Sequence, residues 1–127
     1  MSLILYAHPF SYYCQKVLVA LYENETSFTF RMLGPENPDA FEELQGHWPV
    51  GKFPVLVDHG RVVVESSIII EHLALFHSGP VRLIPADPGT ALAVRFMDRF
   101  FDNYVMNVCR GLWSRRCGLK PAVRNWR

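Results

Sequence analysis

The amino-acid order predicts an α/β domain on a mixed four-stranded sheet, in the order βαβαββα. Three observations predict it. Short apolar runs of strand length recur at residues 3–6, 27–33, 55–57 and 61–64. The first two runs are separated by a segment with helical spacing, so they pair in parallel through a right-handed crossover. The last two flank Asp58-His59-Gly60, a link short enough to force an antiparallel hairpin.

Each element follows from its residues. Leu3-Ile4-Leu5-Tyr6 is an apolar run stopped by His8-Pro9, the pattern of a buried strand. Ser11 stands where a helix N-cap belongs, and Val17, Leu18, Ala20 and Leu21 follow at helical spacing until Glu23-Asn24-Glu25. Residues 27–33 alternate, with Phe28, Phe30 and Met32 on one expected face, and Gly34-Pro35 ends the run. Pro38 to Gln45 reads as a short helix carrying Phe41 and Leu44. Residues 48–54 hold two prolines and a glycine and read as a loop. Ser66 or Ser67 caps a helix through Ile70, Leu73 and Phe76 that ends near Ser78-Gly79-Pro80. Residues 78–90 carry three prolines and two glycines, as a linker does. From Thr90 onward, Leu92, Val94, Phe96, Met97, Phe100, Phe101, Tyr104 and Val105 form an apolar helical stripe, with Arg95, Asp98, Arg99 and Asp102 expected outside it.

Composition narrows the function classes. A chain of 127 residues, 50% of them hydrophobic, carries enough apolar surface for one real core and is no disordered polyampholyte. No run approaches the roughly 18–20 apolar residues a membrane helix needs. Met1 to Tyr6 lacks a basic leader region, so no signal peptide is expected. Three widely spaced cysteines make no disulfide framework, and a reducing cytoplasm is the expected setting. The five histidines show no metal spacing; His72 and His77, at i and i+5, fall off a shared helical face, so no metal is expected. The net charge of +1 hides a split: residues 1–107 hold seven basic and all twelve acidic residues, whereas 108–127 hold six basic residues and no acidic one.

The chemistry concentrates in Ser11-Tyr12-Tyr13-Cys14, at a strand end and a helix start. The free N–H groups and dipole of a helix N-terminus stabilise an anion there, whether phosphate, carboxylate or thiolate. The spacing is that of a Cys-x-x-Cys redox motif with serine in the attacking position. A serine forms no disulfide, so dithiol chemistry is not expected, but its hydroxyl can donate to another molecule's thiolate. The plain alternative is that Ser11 is only an N-cap. Cys14 reads either as a thiol activated in the first helical turn or as a small apolar residue beneath the helix. Tyr6 is a rival hydroxyl, though its place in an apolar run favours packing.

Three segments together resemble the glutathione S-transferase family. Residues Leu5-Tyr6-Ala7-His8-Pro9-Phe10-Ser11-Tyr12-Tyr13-Cys14-Gln15-Lys16-Val17 are similar to the start of its serine-type, theta- and zeta-like members. Gly51-Lys52-Phe53-Pro54-Val55-Leu56 resembles a segment whose proline is cis and opens a strand. Glu65-Ser66-Ser67-Ile68-Ile69-Ile70-Glu71-His72-Leu73 resembles the segment opening the third helix. The resemblance implies a thioredoxin-like domain over residues 1–78, a linker at 79–90 and, at 91–107, the first helix of an all-α domain that is otherwise missing. It implies glutathione as co-substrate, no permanently bound cofactor, and a donor role for Ser11 toward the glutathione sulfur. Lys52 would meet the glycyl carboxylate, and the backbone of Phe53, before Pro54, would pair with the cysteinyl part. Glu65 and Ser66 would hold the γ-glutamyl end. Tyr6 and Cys14 are secondary candidates.

The likeness stops after Asn107. Residues 108–127 lose helical periodicity and acidic residues, the change a shifted reading frame or a truncated gene would produce; a disordered tail is expected there. Much of the pocket for the electrophile, and much of the family's homodimer contact, would belong to the missing helices. Glutathione binding is therefore expected to be weak, transferase activity and dimerisation doubtful, and neither nucleic acid nor membrane is expected as a partner. A non-catalytic thioredoxin-like binding module, or glutaredoxin-like thiol chemistry through Cys14, are the alternative functions.

Overall fold

The computed structural model describes residues 2–116. Its elements are β1 (Leu3–Ala7), α1 (Tyr12–Glu23), β2 (Thr29–Met32), α2 (Pro38–His47), β3 (Val55–Asp58), β4 (Arg61–Val64), α3 (Ser66–Phe76), α4 (Pro88–Phe100), a π-helical segment Phe101–Met106, and α5 (Asn107–Arg116). The sheet order is β2-β1-β3-β4. β1 and β2 are parallel, β3 is antiparallel to β1, and β4 is antiparallel to β3. This is the mixed four-stranded sheet that the order of elements predicts, in the thioredoxin-like arrangement that the family resemblance implies.

Side-chain alternation along β1 builds two cores, one on each face of the sheet. Leu3, Leu5 and Ala7 point to one face, where they join Leu56, Val63, Cys14, Val17, Leu18 and Leu21 of α1, and Ile69 and Leu73 of α3. Tyr6 points to the other, with Val55, Val57, Leu33 and the α2 residues Ala40 and Leu44. The result is three layers: α1 and α3, the sheet, then α2. β2 differs from expectation. Its edge position leaves Phe30 and Met32 well exposed, while Phe28, just before the strand, packs on the α1 side. The hairpin matches its sequence signal, since His59 and Gly60 both take positive φ, the geometry of a type I′ turn.

The chain divides into two compact units, the second beginning at Ala86. The stretch read as a linker therefore splits. Through Pro85 it belongs to the first unit, where Leu83 packs on the core and the Val81 N–H donates to Asn24 Oδ1 at 3.1 Å. Asn24 is the buried C-cap residue of α1. Gly79 runs so close beneath it that a Cβ there would lie 2.5 Å from the Asn24 carbonyl oxygen, which is why no larger residue fits without backbone movement. α4 begins at Pro88, ahead of the expected start, because Asp87 caps it by accepting from the Thr90 N–H at 2.7 Å and the Thr90 hydroxyl at 2.8 Å.

In the second unit, helix continues past Asn107 through Arg116, against the expectation that order ends at residue 108; residues 117–127 lie outside the described residues. Asp102, expected outside, is buried. It lies at i+11 from buried Ala91 and i+4 from half-buried Asp98, so the helix covers this face while much of its apolar stripe is exposed. Leu92, Phe96, Met97 and Tyr104 are exposed. Among the described residues no helix is long and apolar enough to cross a membrane.

Candidate functional site

The topology brings the three motif segments to one end of the sheet. β4 runs in the same direction as β1, so both strands finish at the same edge, and the helices that follow them begin there. β3 runs the other way and starts at that edge, with Val55 paired to Tyr6 on one side and Val64 on the other. Phe53-Pro54 therefore sits between the β1–α1 turn, which carries Ser11, and the β4–α3 turn, which carries Glu65-Ser66. Lys16, one turn into α1, reaches Ser67 Oγ at 3.4 Å and ties the first turns of α1 and α3 together. Two helix N-termini thus open side by side, each presenting backbone N–H donors and positive dipole.

Each candidate has a definite setting. Ser11 is the N-cap of α1 by backbone geometry, but its hydroxyl makes no capping bond. The turn before it is closed by the Ser11 N–H donating to the His8 carbonyl at 3.0 Å, and Phe10 beside it is almost fully exposed. The Ser11 hydroxyl instead meets the Cys14 sulfur. Lys52 is exposed and follows Gly51, which takes positive φ. The Phe53–Pro54 peptide is cis, with Phe53 partly exposed and Pro54 buried. Glu65, not Ser66 or Ser67, is the N-cap of α3, in a left-handed conformation at φ 70°, and its side chain is exposed. Ser66 is buried in the first helical turn.

The rival groups are engaged elsewhere. Tyr6 is buried and its hydroxyl donates to Glu43 Oε2 at 3.0 Å, on the α2 face. Burial and that bond both push the phenol's pKa up. Arg31 holds the same carboxylate through Nη2 to Oε1 at 2.6 Å. Cys14 is fully buried. Burial pushes its thiol up from an ordinary 9.0, against hydrogen bonds with Ser11 and the His8 backbone that pull it down. A raised thiol pKa leaves less thiolate at any pH, so glutaredoxin-like attack by Cys14 is disfavoured. In the native protein near pH 8, alkylation of Cys14 is expected to be at least about tenfold slower than that of exposed Cys109, read by peptide mass mapping. Equal rates would show Cys14 to be open and reactive.

At the opposite end of the sheet lies a cluster that sequence spacing did not reveal. Asp58 pairs with Leu3 at the far end of β1. Its Oδ2 accepts from His72 Nε2 and from His77 Nε2, each at 2.8 Å, and its Oδ1 accepts from His59 Nδ1 at 2.6 Å. Burial alone would raise the Asp58 pKa, but the bonds from His77, His72 and His59 outweigh it and hold the carboxyl well below the usual carboxylate range. His72 and His77 meet because His77 is the C-cap of α3, where the backbone has left the helix and turns the ring back. An i, i+5 spacing keeps two side chains off one face only while the helix continues.

Comparison with known proteins follows the same residues. The profile of the glutathione S-transferase N-terminal domain matches residues 5–80. Glutathione S-transferase U27 of Arabidopsis thaliana is 31% identical over 108 residues, covering 80% of this chain and 45% of that protein. The crystal structure of the beta-etherase LigF from Sphingobium sp. strain SYK-6 is 31% identical with a TM-score of 0.72, covering 82% of this chain and 44% of that one. A glutathione S-transferase from Methylobacillus flagellatus, solved with glutathione bound, is 26% identical with a TM-score of 0.78, covering 95% of this chain and 60% of that one. The chain spans about half the length of such relatives. With the profile lying across β1 to α3 and the three motif segments gathered at one sheet edge, the chain belongs to the glutathione S-transferase family through that family's N-terminal domain.

Proposed function

We propose that the first unit binds glutathione at the sheet edge carrying Ser11, Phe53 and Glu65-Ser66, and presents its sulfur as a thiolate for transfer to an electrophile. One observation carries this reading: the topology gathers a non-capping hydroxyl, an exposed strand-entry backbone and two helix N-termini within one small area. Glutathione is an extended tripeptide with two carboxylates, one ammonium and one thiol. The N-terminus of α3, with Ser66, suits the γ-glutamyl carboxylate, and the Glu65 carboxylate suits the adjacent ammonium. The Phe53 backbone suits the cysteinyl peptide as an added strand. Lys52 suits the glycyl carboxylate as a point charge. Ser11, at the N-terminus of α1, then donates to the sulfur, and a hydrogen bond to the charged form lowers a thiol's pKa. The thiol proton passes to solvent, and the thiolate's electron pair forms a C–S bond to the electrophilic carbon while that carbon's bond to its leaving group breaks and the group departs with the bonding pair. A reducing cytoplasm remains the proposed setting, supported by the free thiols of Cys14 and Cys109.

Calorimetric titration of the full chain with glutathione tests this reading. Saturable one-to-one binding is expected, and Ser66→Ala should weaken it by about tenfold, the equivalent of one good hydrogen bond to a charged group. Absence of saturable binding at millimolar glutathione, or an unchanged affinity in Ser66→Ala, would overturn the assignment.

A further inference from the structure

We propose that Asp58, His72 and His77 bind a divalent transition metal ion of the zinc type, at the end of the sheet away from Ser11. The donor set is two imidazole nitrogens and one carboxylate oxygen, all lying within 4.8 Å of one another. Imidazole selects first-row transition ions over magnesium or calcium, which prefer oxygen throughout. Three protein ligands with one position left for water is a recurrent arrangement for zinc.

The geometry is close to what an ion needs. Ligands about 2.0–2.1 Å from a tetrahedral ion stand roughly 3.3 Å apart. Two of the ligand pairs here, His72 Nε2 to Asp58 Oδ2 and His77 Nε2 to Asp58 Oδ2, are 2.8 Å apart. Opening these pairs by about half an ångström admits the ion, a shift that side-chain rotation supplies. Both rings already aim Nε2 at one point. In the neutral rings the Nε2 protons move to Nδ1 by tautomer change as the metal takes their place, so no oxidant or reductant enters.

The surroundings support the same assignment. The carboxylate is fixed in orientation by His59, whose Nδ1 holds the oxygen that the ion does not need. Hydrogen-bonded outer groups of this kind set the direction and basicity of metal ligands. The hollow that Asp58, His59, Arg61, His72, Phe76 and His77 line is open to solvent, which gives an entry path and room for a water ligand. His72 and Asp58 are largely buried, so the ion would be held at the floor of the hollow. Among the described residues that line the hollow the one fixed positive charge is Arg61, and its guanidinium stacks on Phe76 at 5.8 Å from the ring centre. Six residues of α3 separate Ser66 from His72, a rise of about 9 Å, and His77 lies beyond the other end of the helix, so no residue is shared between the two sites.

A plain hydrogen-bonded strap between β3 and α3 would show the same triangle without affinity for metal. The full chain carrying Cys109→Ser and Cys117→Ser, freed of metal by a chelator and then desalted, separates the two. Titration with zinc ion is expected to show saturable one-to-one binding, with nitrogen NMR resonances of the two Nε2 atoms of His72 and His77 shifting on metal addition. His77→Gln and His72→Gln should each weaken zinc binding at least about tenfold, and His59→Gln by about tenfold, whereas His8→Gln should leave it unchanged. Should His72→Gln fail to fold, the NMR shifts in the chain with all its histidines carry the test alone. No saturable binding at about 0.1 mM zinc, or binding that shifts other histidines and survives His77→Gln, would overturn the proposal.

Discussion

Ser11→Ala is expected to raise the pKa of the bound glutathione thiol by about one to two units while leaving glutathione affinity within a few-fold. A hydrogen bond to a charged group contributes about 1.5–3 kcal/mol, and one pKa unit corresponds to about 1.4 kcal/mol. The hydroxyl is available for that role because it makes no capping bond in α1 and already meets a sulfur, that of Cys14. Thiolate formation is read by its ultraviolet absorbance across a pH titration of the glutathione complex. In wild type the thiolate should form at lower pH than free glutathione; in Ser11→Ala the curve should return toward the free tripeptide. If conjugation is measurable, its rate below the free thiol's pKa should fall by about 10–100-fold, following the lost thiolate. Identical titration curves would remove Ser11 from the chemistry and leave it a turn residue.

Leu56→Ala should be the most damaging single substitution for stability, costing about 3–5 kcal/mol through lost burial plus the cavity left behind. Leu56 is fully buried in β3, opposite Leu5 on one side and Val63 on the other, beneath α1 and α3. Against a native stability of about 5–15 kcal/mol that is a large share. Phe30→Ala is the control: the ring lies on the edge strand and is 38% exposed, so its removal should cost less than about 1 kcal/mol. Urea unfolding midpoints at constant slope give both values, and equal shifts would mean the core is not centred on β3. Because β3 follows directly on Pro54 and ends at Asp58, both sites should weaken together in Leu56→Ala.

Much of this was legible in the residues. β1, β3 and β4 announced themselves because buried strands are short and apolar, β2 by its alternation although it lies exposed at the sheet edge, and the hairpin by the short link Asp58-His59-Gly60. The motif segments fell at the strand ends because helix starts and prolines mark those ends. Other features depend on contacts between distant residues and left no local trace. The Tyr6 hydroxyl is held by Glu43, far along the chain. Glu65 takes the capping position in a left-handed conformation, which neighbouring serines concealed. Asp102 is buried while much of the apolar stripe of its helix is exposed, a choice of face that periodicity alone does not make. His77 joins His72 only because the helix has already ended, so a spacing rule applied across the helix end misses the pair.

The position of β1 has a consequence for how the chain is made. Of the four strands, the first to leave the ribosome is an inner strand of the sheet, flanked by β2 and β3. Its β2 side is satisfied after one helix, but its β3 side stays unpaired until Val55–Asp58 has emerged. During that interval the nascent β1-α1-β2 unit shows a bare apolar edge, the kind of surface that recruits other strands. Synthesis paused between α2 and β3 should therefore yield the most aggregation-prone length of this chain, and release past the hairpin should end that vulnerability.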